Sequence, residues 1–412
     1  MAVLLSTTAT LQAAMESVYG TPASVGNTDA VLVEEPQFTV DVQTLDRNFL
    51  TANLSPKAII NGRKIAGMTF TLELRGNNKE QSGLSADAPI ISRLFRACGF
   101  ALTASAAKSV LVKAVGDHPV AVAFSSSVVG ATNTEVIVYI IKVTTGGASG
   151  TAQVTISSDT TGEGSAAAAI TTATPITLGT KGATVTPTWT GNLTVGQQWT
   201  VYLFPPGILL SPVSENFESV TLVMNKAGVK HVMPGAFGTF DIEAEAGQYA
   251  KVNFDFQGIY VDPVDEALSS TLTYETSIPA MVEKGKLRID GFNAIVNRFT
   301  IDMAVDIQPR PDVSSPNGYI GIRIVARQPE GGIDPEADLV ASHDFWGKLS
   351  AATRMPFSMR VGSVVGNIVH MIGTSVQYSG LTYADRNNIL TYDAGLRFSG
   401  IQGNDEFLLF FG

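Results

Sequence analysis

The 412-residue sequence predicts a mainly β protein, made of β-sandwich modules with short flanking helices and an inserted second sandwich. Three observations carry that expectation. Residues 219–263 hold three runs that alternate apolar and polar side chains and are cut by glycines. Period two broken by turn residues marks an antiparallel meander with one face buried and one wet. In the last run Val252, Phe254 and Phe256 share one face, and Asn253 and Asp255 share the other. A stretch of similar build, 365–400, closes the chain. Between 109 and 212, short segments rich in Thr, Gly, Ala, Val and Ser follow one another with little charge.

Composition bounds the possibilities. Hydrophobic residues make up 45% of the chain, with 39 glycines, the balance of a globular protein rather than a disordered or coiled-coil one. The length fits two or three domains. No run approaches the roughly 20 apolar residues of a membrane helix, and MAVLLSTTATLQAAM has no basic leader or cleavage site, so no signal peptide is expected. Cys98 is the only cysteine, which excludes an intrachain disulfide and a multi-cysteine metal site. Beside Leu94 and Phe95 it reads as a buried structural thiol. Lys plus Arg total 27 against 37 Asp plus Glu, a formal charge of −10. Tight nucleic-acid binding needs a basic patch to neutralise phosphates, and no basic run is present; DNA meeting this protein should slide past.

Taken in order, Leu11, Met15 and Val18 recur at helical spacing before Gly20-Thr21-Pro22, so residues 6–20 are expected to be helical. A polar arm follows to Pro36. The helix either docks on its own domain or reaches a neighbouring subunit. Strands are expected within 37–75, the second alternating Met68, Phe70, Leu72 and Leu74 against Thr69, Thr71, Glu73 and Arg75. After a charged loop, Pro89 opens a helix that Gly99 stops. In the 109–212 block, 135–140, 152–156 and 198–203 are strand candidates, suggesting a sandwich of immunoglobulin-like size without the inter-sheet cysteine pair. It reads as an insertion in a surface loop, with Pro205-Pro206-Gly207 and Pro212 as its exit linker. A connector at 264–279 leads to strands over 284–327, a turn at Asn317-Gly318, a loop at 329–336 and a helix over 338–352.

This order contains an echo. Strand, acid-containing loop, helix and glycine-cut sheet run from 66 to 258 and again from 318 to 400. Residue identity is low, but a duplicated module halves the number of chains a ring requires.

Candidates for chemistry are few. His118, His231, His343 and His370 lack metal-site spacing. Ser342-His343-Asp344 has no accompanying serine elbow, and a helix cap at Ser342 or Asp344 is the expected role. The glycines at 146–150 lack the lysine of a phosphate loop and read as a turn. Asp241, Glu243 and Glu245 alternate on one strand face, either an ordinary solvated face or an acidic wall that repels phosphates. No catalytic, metal or cofactor-binding residue is expected, and no cofactor.

Several stretches resemble the major tail tube proteins of long-tailed bacteriophages. They are MESVYGTP at 15–22, the strand at 66–76 with its polar loop and helix, and 247–263 with its G-x-Y and F-x-F-x-G pattern. The fourth is 362–410, with the Asp385-Arg386 turn and Gly403-Asn404-Asp405-Glu406-Phe407. The resemblance spans most of the chain outside 109–212. It implies a structural subunit of the virion tail, assembled in the host cytoplasm. Its sandwich modules would join their sheets around a ring into a β-barrel, and rings would stack into a hollow tube. The lumen would pass the tape-measure protein and then double-stranded DNA, without tight binding. Tail terminator and distal tail proteins are the further partners implied.

The echo is similar to family members with two fused modules and trimeric rings. Module 1 would take 1–108 and 213–265, an inserted immunoglobulin-like decoration domain 109–212, and module 2 266–412. Asp241, Glu243, Glu245 and Asp255 are the candidates for the lumen wall. Asn77, Lys79, Glu80, Asp87, Glu330, Asp334 and Glu336 are the candidates for contacts between rings. The competing class is a surface adhesin or receptor-binding protein that meets the host through 109–212. It calls for clustered exposed aromatics, whereas Trp189, Trp199, Tyr139 and Tyr202 are embedded in strand-like runs. An enzyme is disfavoured by the missing catalytic constellation.

Overall fold

The structure, a computed structural model, describes every residue except 1–7, 48, 50–54, 56, 77–87, 161 and 284. The chain opens with β1 (Ala9–Met15), β2 (Ala30–Val31), β3 (Glu34–Leu45), β4 (Ile60–Glu73), α1 (Ile91–Ala97) and β5 (Phe100–Ser105). Next come β6 (Ser109–Ala114), β7 (Ala123–Ser127), β8 (Ile137–Thr145), β9 (Gln153–Ser158), β10 (Ser165–Ala169), β11 (Ile176–Leu178), β12 (Ala183–Thr188) and β13 (Gln198–Phe204). β14 (Gly207–Pro212), β15 (Val220–Lys226), β16 (Val229–Glu245), β17 (Lys251–Gly258) and β18 (Val264–Asp265) follow. Then come β19 (Lys286–Ile289), β20 (Phe292–Asn293), β21 (Val296–Asp302), β22 (Val305–Pro311), β23 (Tyr319–Arg327) and β24 (Glu330–Pro335). The chain ends with α2 (Phe345–Ser350), β25 (Met355–Val361), β26 (Val369–Arg386), β27 (Ile389–Phe398) and β28 (Leu408–Phe411).

The protein is mainly β, as its alternation predicts. In the meander at 219–263, β15, β16 and β17 pair antiparallel in succession, with Phe240 opposite Phe254. Ala227 and Gly228 turn β15 into β16 at φ +54° and +98°, the pair of left-handed positions that a two-residue type I′ hairpin needs. Asn387 and Asn388 turn β26 into β27 in the same way, at φ +56° and +65°. The apolar faces merge into one core that includes Phe70, Phe95, Phe240, Phe254, Phe299, Phe357 and Phe398.

Several local expectations fail. Residues 9–15 are strand β1, not a helix. β1 pairs with β15 along its length, Leu11 opposite Met224 and Ala13 opposite Leu222, and Leu11 also faces Val31 of β2. Leu11 and Met15 fit both a helical and an alternating pattern; two partner strands and the burial of Leu11 and Ala13 select the strand. Residues 330–335, expected as a loop, are β24, held between β21 and β27. Gly331 serves close packing there rather than a turn, since a Cβ would stand 2.4 Å from the Thr300 carbonyl oxygen. The expected exit linker is β14, paired with β5 on one side and β28 on the other. The helix expected over 338–352 shortens to α2, which starts where the Asp344 carboxylate accepts the Gly347 N–H at 2.7 Å.

From β6 to β13 the chain forms two sheets of its own, β10-β9-β8-β13-β6 and β11-β12-β7. They enclose a separate core with Tyr139, Ile141, Trp189, Trp199 and Val201. Ser105 of β5 lies opposite Gly207 of β14, so this block leaves and rejoins the main sheet through neighbouring strands. It is packed down on that sheet. Val136, Val138, Tyr202 and Phe204 meet Ile372, Leu408 and Phe410, and Glu135 pairs with both Arg360 and Lys286.

The pairings of the first half recur in the second. β1 joins β2 and β15 as β19 joins β20 and β25. The ladder β15–β16–β17–β4–β3 recurs as β25–β26–β27–β24–β21. The sequence echo matched β4 to the strand at 318–327. In the sheet the counterpart of β4 is β24, while β23 forms a two-stranded ribbon with β22.

Candidate functional site

Eight strands pair in the order β3-β4-β17-β16-β21-β24-β27-β26, so the two repeated ladders form one sheet across the β16–β21 junction. Directly opposite residues share a face, and the face not turned to the core is polar. One row across it runs Thr71, Asn253, Asp241, Asp302, Glu330, Arg397, Gln377. The next runs Glu73, Lys251, Glu243, Thr300, Gly332, Gly395, Gly380. Asp255 lies between Thr69 and Thr239, and Glu245 lies opposite Arg298. The four acidic residues singled out from the sequence, Asp241, Glu243, Glu245 and Asp255, therefore stand on one face, backed by buried Phe240, Ile242 and Ala244.

Carboxylates outnumber cations in these rows, and the crowding leaves a mark. Burial raises the Asp241 carboxyl above its ordinary range, and the neighbouring Glu243 and Asp302 charges add to it, against an Asn253 amide hydrogen bond of 2.7 Å. Burial alone raises Asp255. Asp302 escaped the sequence reading, although it ends the alternating run of β21; its place opposite Asp241 needed the strand pairing.

The other expected residues divide. Asn77, Lys79, Glu80 and Asp87 lie outside the described residues. Glu330 sits in the polar row. Asp334 accepts the backbone N–H groups of Asn297 and Arg298 at 2.8 and 2.7 Å and pairs with Arg386 at 3.1 Å. Glu336 pairs with the same arginine at 3.0 Å. These two carboxylates tie the β26–β27 hairpin to β24 and the start of β21.

The histidines pack in or beside apolar surroundings. His343 stacks on Phe292, with Nε2 3.0 Å from the Tyr378 hydroxyl, and burial, with Lys348 nearby, lowers its pKa to about 4. His370 is fully enclosed, neither ring nitrogen has a hydrogen-bond partner among the described residues, and burial, with Arg360 and Lys286, lowers its pKa to about 3. His231 lies against Phe38 and His118 against Trp199. Cys98 is buried in the main core.

A broad polar face on an open antiparallel sheet, backed by a continuous apolar core, defines a mainly β protein. The family model for phage tail tube protein matches residues 6–393, and the chain belongs to that family. It is thus a structural protein of the virion tail. No curated protein matches it. Among the described residues no helix is long and apolar enough to cross a membrane.

Proposed function

We propose that this chain polymerises as stacked rings into the hollow conduit of the tail, with the polar face of the eight-stranded sheet as its lumen wall. The observation that carries this reading is the continuity of that face across both halves, with Asp241, Glu243, Glu245 and Asp255 joined by Asp302 and Glu330. Fixed carboxylates repel phosphates over about a Debye length, ~8 Å at physiological salt, so passing DNA is kept from sticking. The tape-measure protein precedes the DNA in the same lumen. Two like ladders per chain favour three chains around each ring.

Contacts between rings are assigned to Asn77, Lys79, Glu80 and Asp87, with Asp334 and Glu336 on the other half; Glu330, expected among them, goes instead with the lumen wall because it stands in the polar row between Asp302 and Arg397. Tail terminator and distal tail proteins cap the ends. The 109–212 block is read as an immunoglobulin-like decoration on the exterior, where it can meet the host surface. As an adhesin it would lack an aromatic platform from Trp189 and Trp199, which are buried in its own core. Cryo-electron microscopy of the purified protein tests the reading. Hollow filaments with three chains per ring are expected; six chains would keep the tube and overturn the count, and a persistent monomer would overturn the tube.

A further inference from the structure

β22 and β23 continue the β21–β24 hairpin after a bend. The last pair of that hairpin is Asp302 with Glu330, and the first pair of the ribbon is Val305 with Arg327. Two residues on each strand separate them, Met303-Ala304 and Gln328-Pro329. Met303 and Pro329 stay with the main sheet: the Met303 N–H donates to the Phe240 carbonyl at 3.0 Å, and the Pro329 carbonyl accepts the Phe398 N–H at 3.0 Å. Ala304 turns the chain at φ +43°, a left-handed conformation that strains a residue with a Cβ. Matching two-residue joints on paired strands form a hinge line, where a few residues absorb the whole change in direction.

Beyond that line the ribbon shares no ladder with the main sheet among the described residues, and a two-stranded ribbon alone is at best marginally stable. It lies on the core through Val305, Ile322 and Ile324. A two-stranded pair leaves the main-chain groups of alternate residues without a ladder partner. At Ile322, which is 3% exposed, one side chain meets both groups. The Tyr19 hydroxyl donates to the Ile322 carbonyl at 3.0 Å and accepts the Ile322 N–H at 2.6 Å. Gly321 admits it, since a Cβ there would stand 2.3 Å from the hydroxyl oxygen. Burial raises the Tyr19 pKa above its ordinary value, so the hydroxyl keeps the proton it donates.

Tyr19 is itself fixed. Its ring stacks on Phe237 at 5.6 Å, and Glu16 ties down the strap that carries it. The Glu16 carboxylate accepts the Gly20 and Gly235 N–H groups at 2.8 and 2.7 Å, and the Ser219 and Thr221 hydroxyls at 2.6 and 2.7 Å. MESVYGTP thus supplies an anchor and, three residues on, a side chain that reaches a distant strand. We propose that the β22–β23 ribbon is a hinged flap and that Tyr19 is its latch. Released, the ribbon swings about 303–304 and 328–329, away from the core. A cleft lined by Phe217, Ile324 and Asn404 already runs beside β23 and leaves room for the movement. The Asn317 amide holds the tip to the Tyr260 carbonyl at 2.8 Å, and Arg327 holds the base to Glu406. The base contact sits beside the hinge, and water can replace the tip contact. The buried groups of Ile322 have only Tyr19.

Hydrogen exchange read by mass spectrometry on the full chain tests the latch. Tyr19→Phe keeps the stacked ring and removes the hydroxyl, leaving two buried main-chain groups that only an open, hydrated ribbon can satisfy. Exchange over 305–327 should rise about tenfold or more, while 109–204 and 369–398 keep their protection. Glu16→Gln, whose hydrogen bonds all lie outside the ribbon, should give the same regional rise by loosening the strap. Unchanged protection over 305–327 in Tyr19→Phe overturns the latch. A rise spread evenly along the chain overturns the flap, because the ribbon then opens only with the whole fold.

Discussion

Asp241 faces Asp302 across the β16–β21 junction, with Glu243 on the same face. Like charges directly opposite each other on neighbouring strands destabilise a sheet, and the raised Asp241 carboxyl reports the same conflict. Asp241→Asn can keep the Asn253 contact and is expected to stabilise the fold by about 0.5 kcal/mol at pH 7. That gain should shrink as pH falls and the wild-type carboxyl becomes neutral, which thermal melts across pH will follow. His343 and His370 act in the opposite sense. Both are neutral in the fold, with pKa values of about 4 and 3, against an ordinary value of 6.5. Between those values the unfolded chain binds more protons, so their contribution is complete above about pH 6.5 and is lost as pH drops toward 4. His370→Leu removes two unpartnered buried nitrogens. It should raise stability by about 1 kcal/mol at pH 7 and flatten the acid limb of the melting curve. An unchanged limb would count against His370 as its source.

At the scale of elements, the hairpins were legible because their signals are local. Glycine, asparagine and alternation lie within a few residues of each other around Ala227-Gly228 and Asn387-Asn388. β1 and β24 were not legible. A Leu11–Met15 spacing suits a helix and a strand alike, and β24 carries Gly-Gly and Pro that normally mark a loop; each becomes a strand only because two partner strands flank it. α2 survives as a short helix because Asp344 caps it. Asp344→Ala should cost about 1 kcal/mol, read as a lower melting temperature with the strand signal in circular dichroism unchanged.

At the scale of the whole molecule, the 109–204 block and the main sheet stabilise each other. Joining β5 to β14 by a short turn is geometrically simple, because Ser105 and Gly207 are opposite partners. The excision nevertheless uncovers Ile372, Leu408 and Phe410 and takes Glu135 from the buried Arg360. The excised protein should melt lower and bind a hydrophobic dye more strongly than the intact chain. Assembly is expected to use exposed apolar surface such as Tyr383, which is 62% exposed on β26 and packs on Trp346. Tyr383→Glu puts a charge at an exposed edge position, so the monomer should keep its melting temperature within about 0.5 kcal/mol while sedimentation shows the loss of rings. Retained rings would remove Tyr383 from the interface.

The mainly β class, the two glycine-cut sheets, the hairpin turns and the acidic alternation of Asp241, Glu243 and Glu245 were legible in the order of the residues. All of these depend on neighbours a few residues away, where period and turn chemistry act. Tertiary structure alone decided that residues 9–15 are a strand, that β24 is not a loop and that β14 belongs to the main sheet. It also decided that Asp302 joins the acidic face and that Asp334 and Glu336 are held by Arg386. Each of these outcomes depends on backbone or charge partners from distant segments, which local periodicity does not encode.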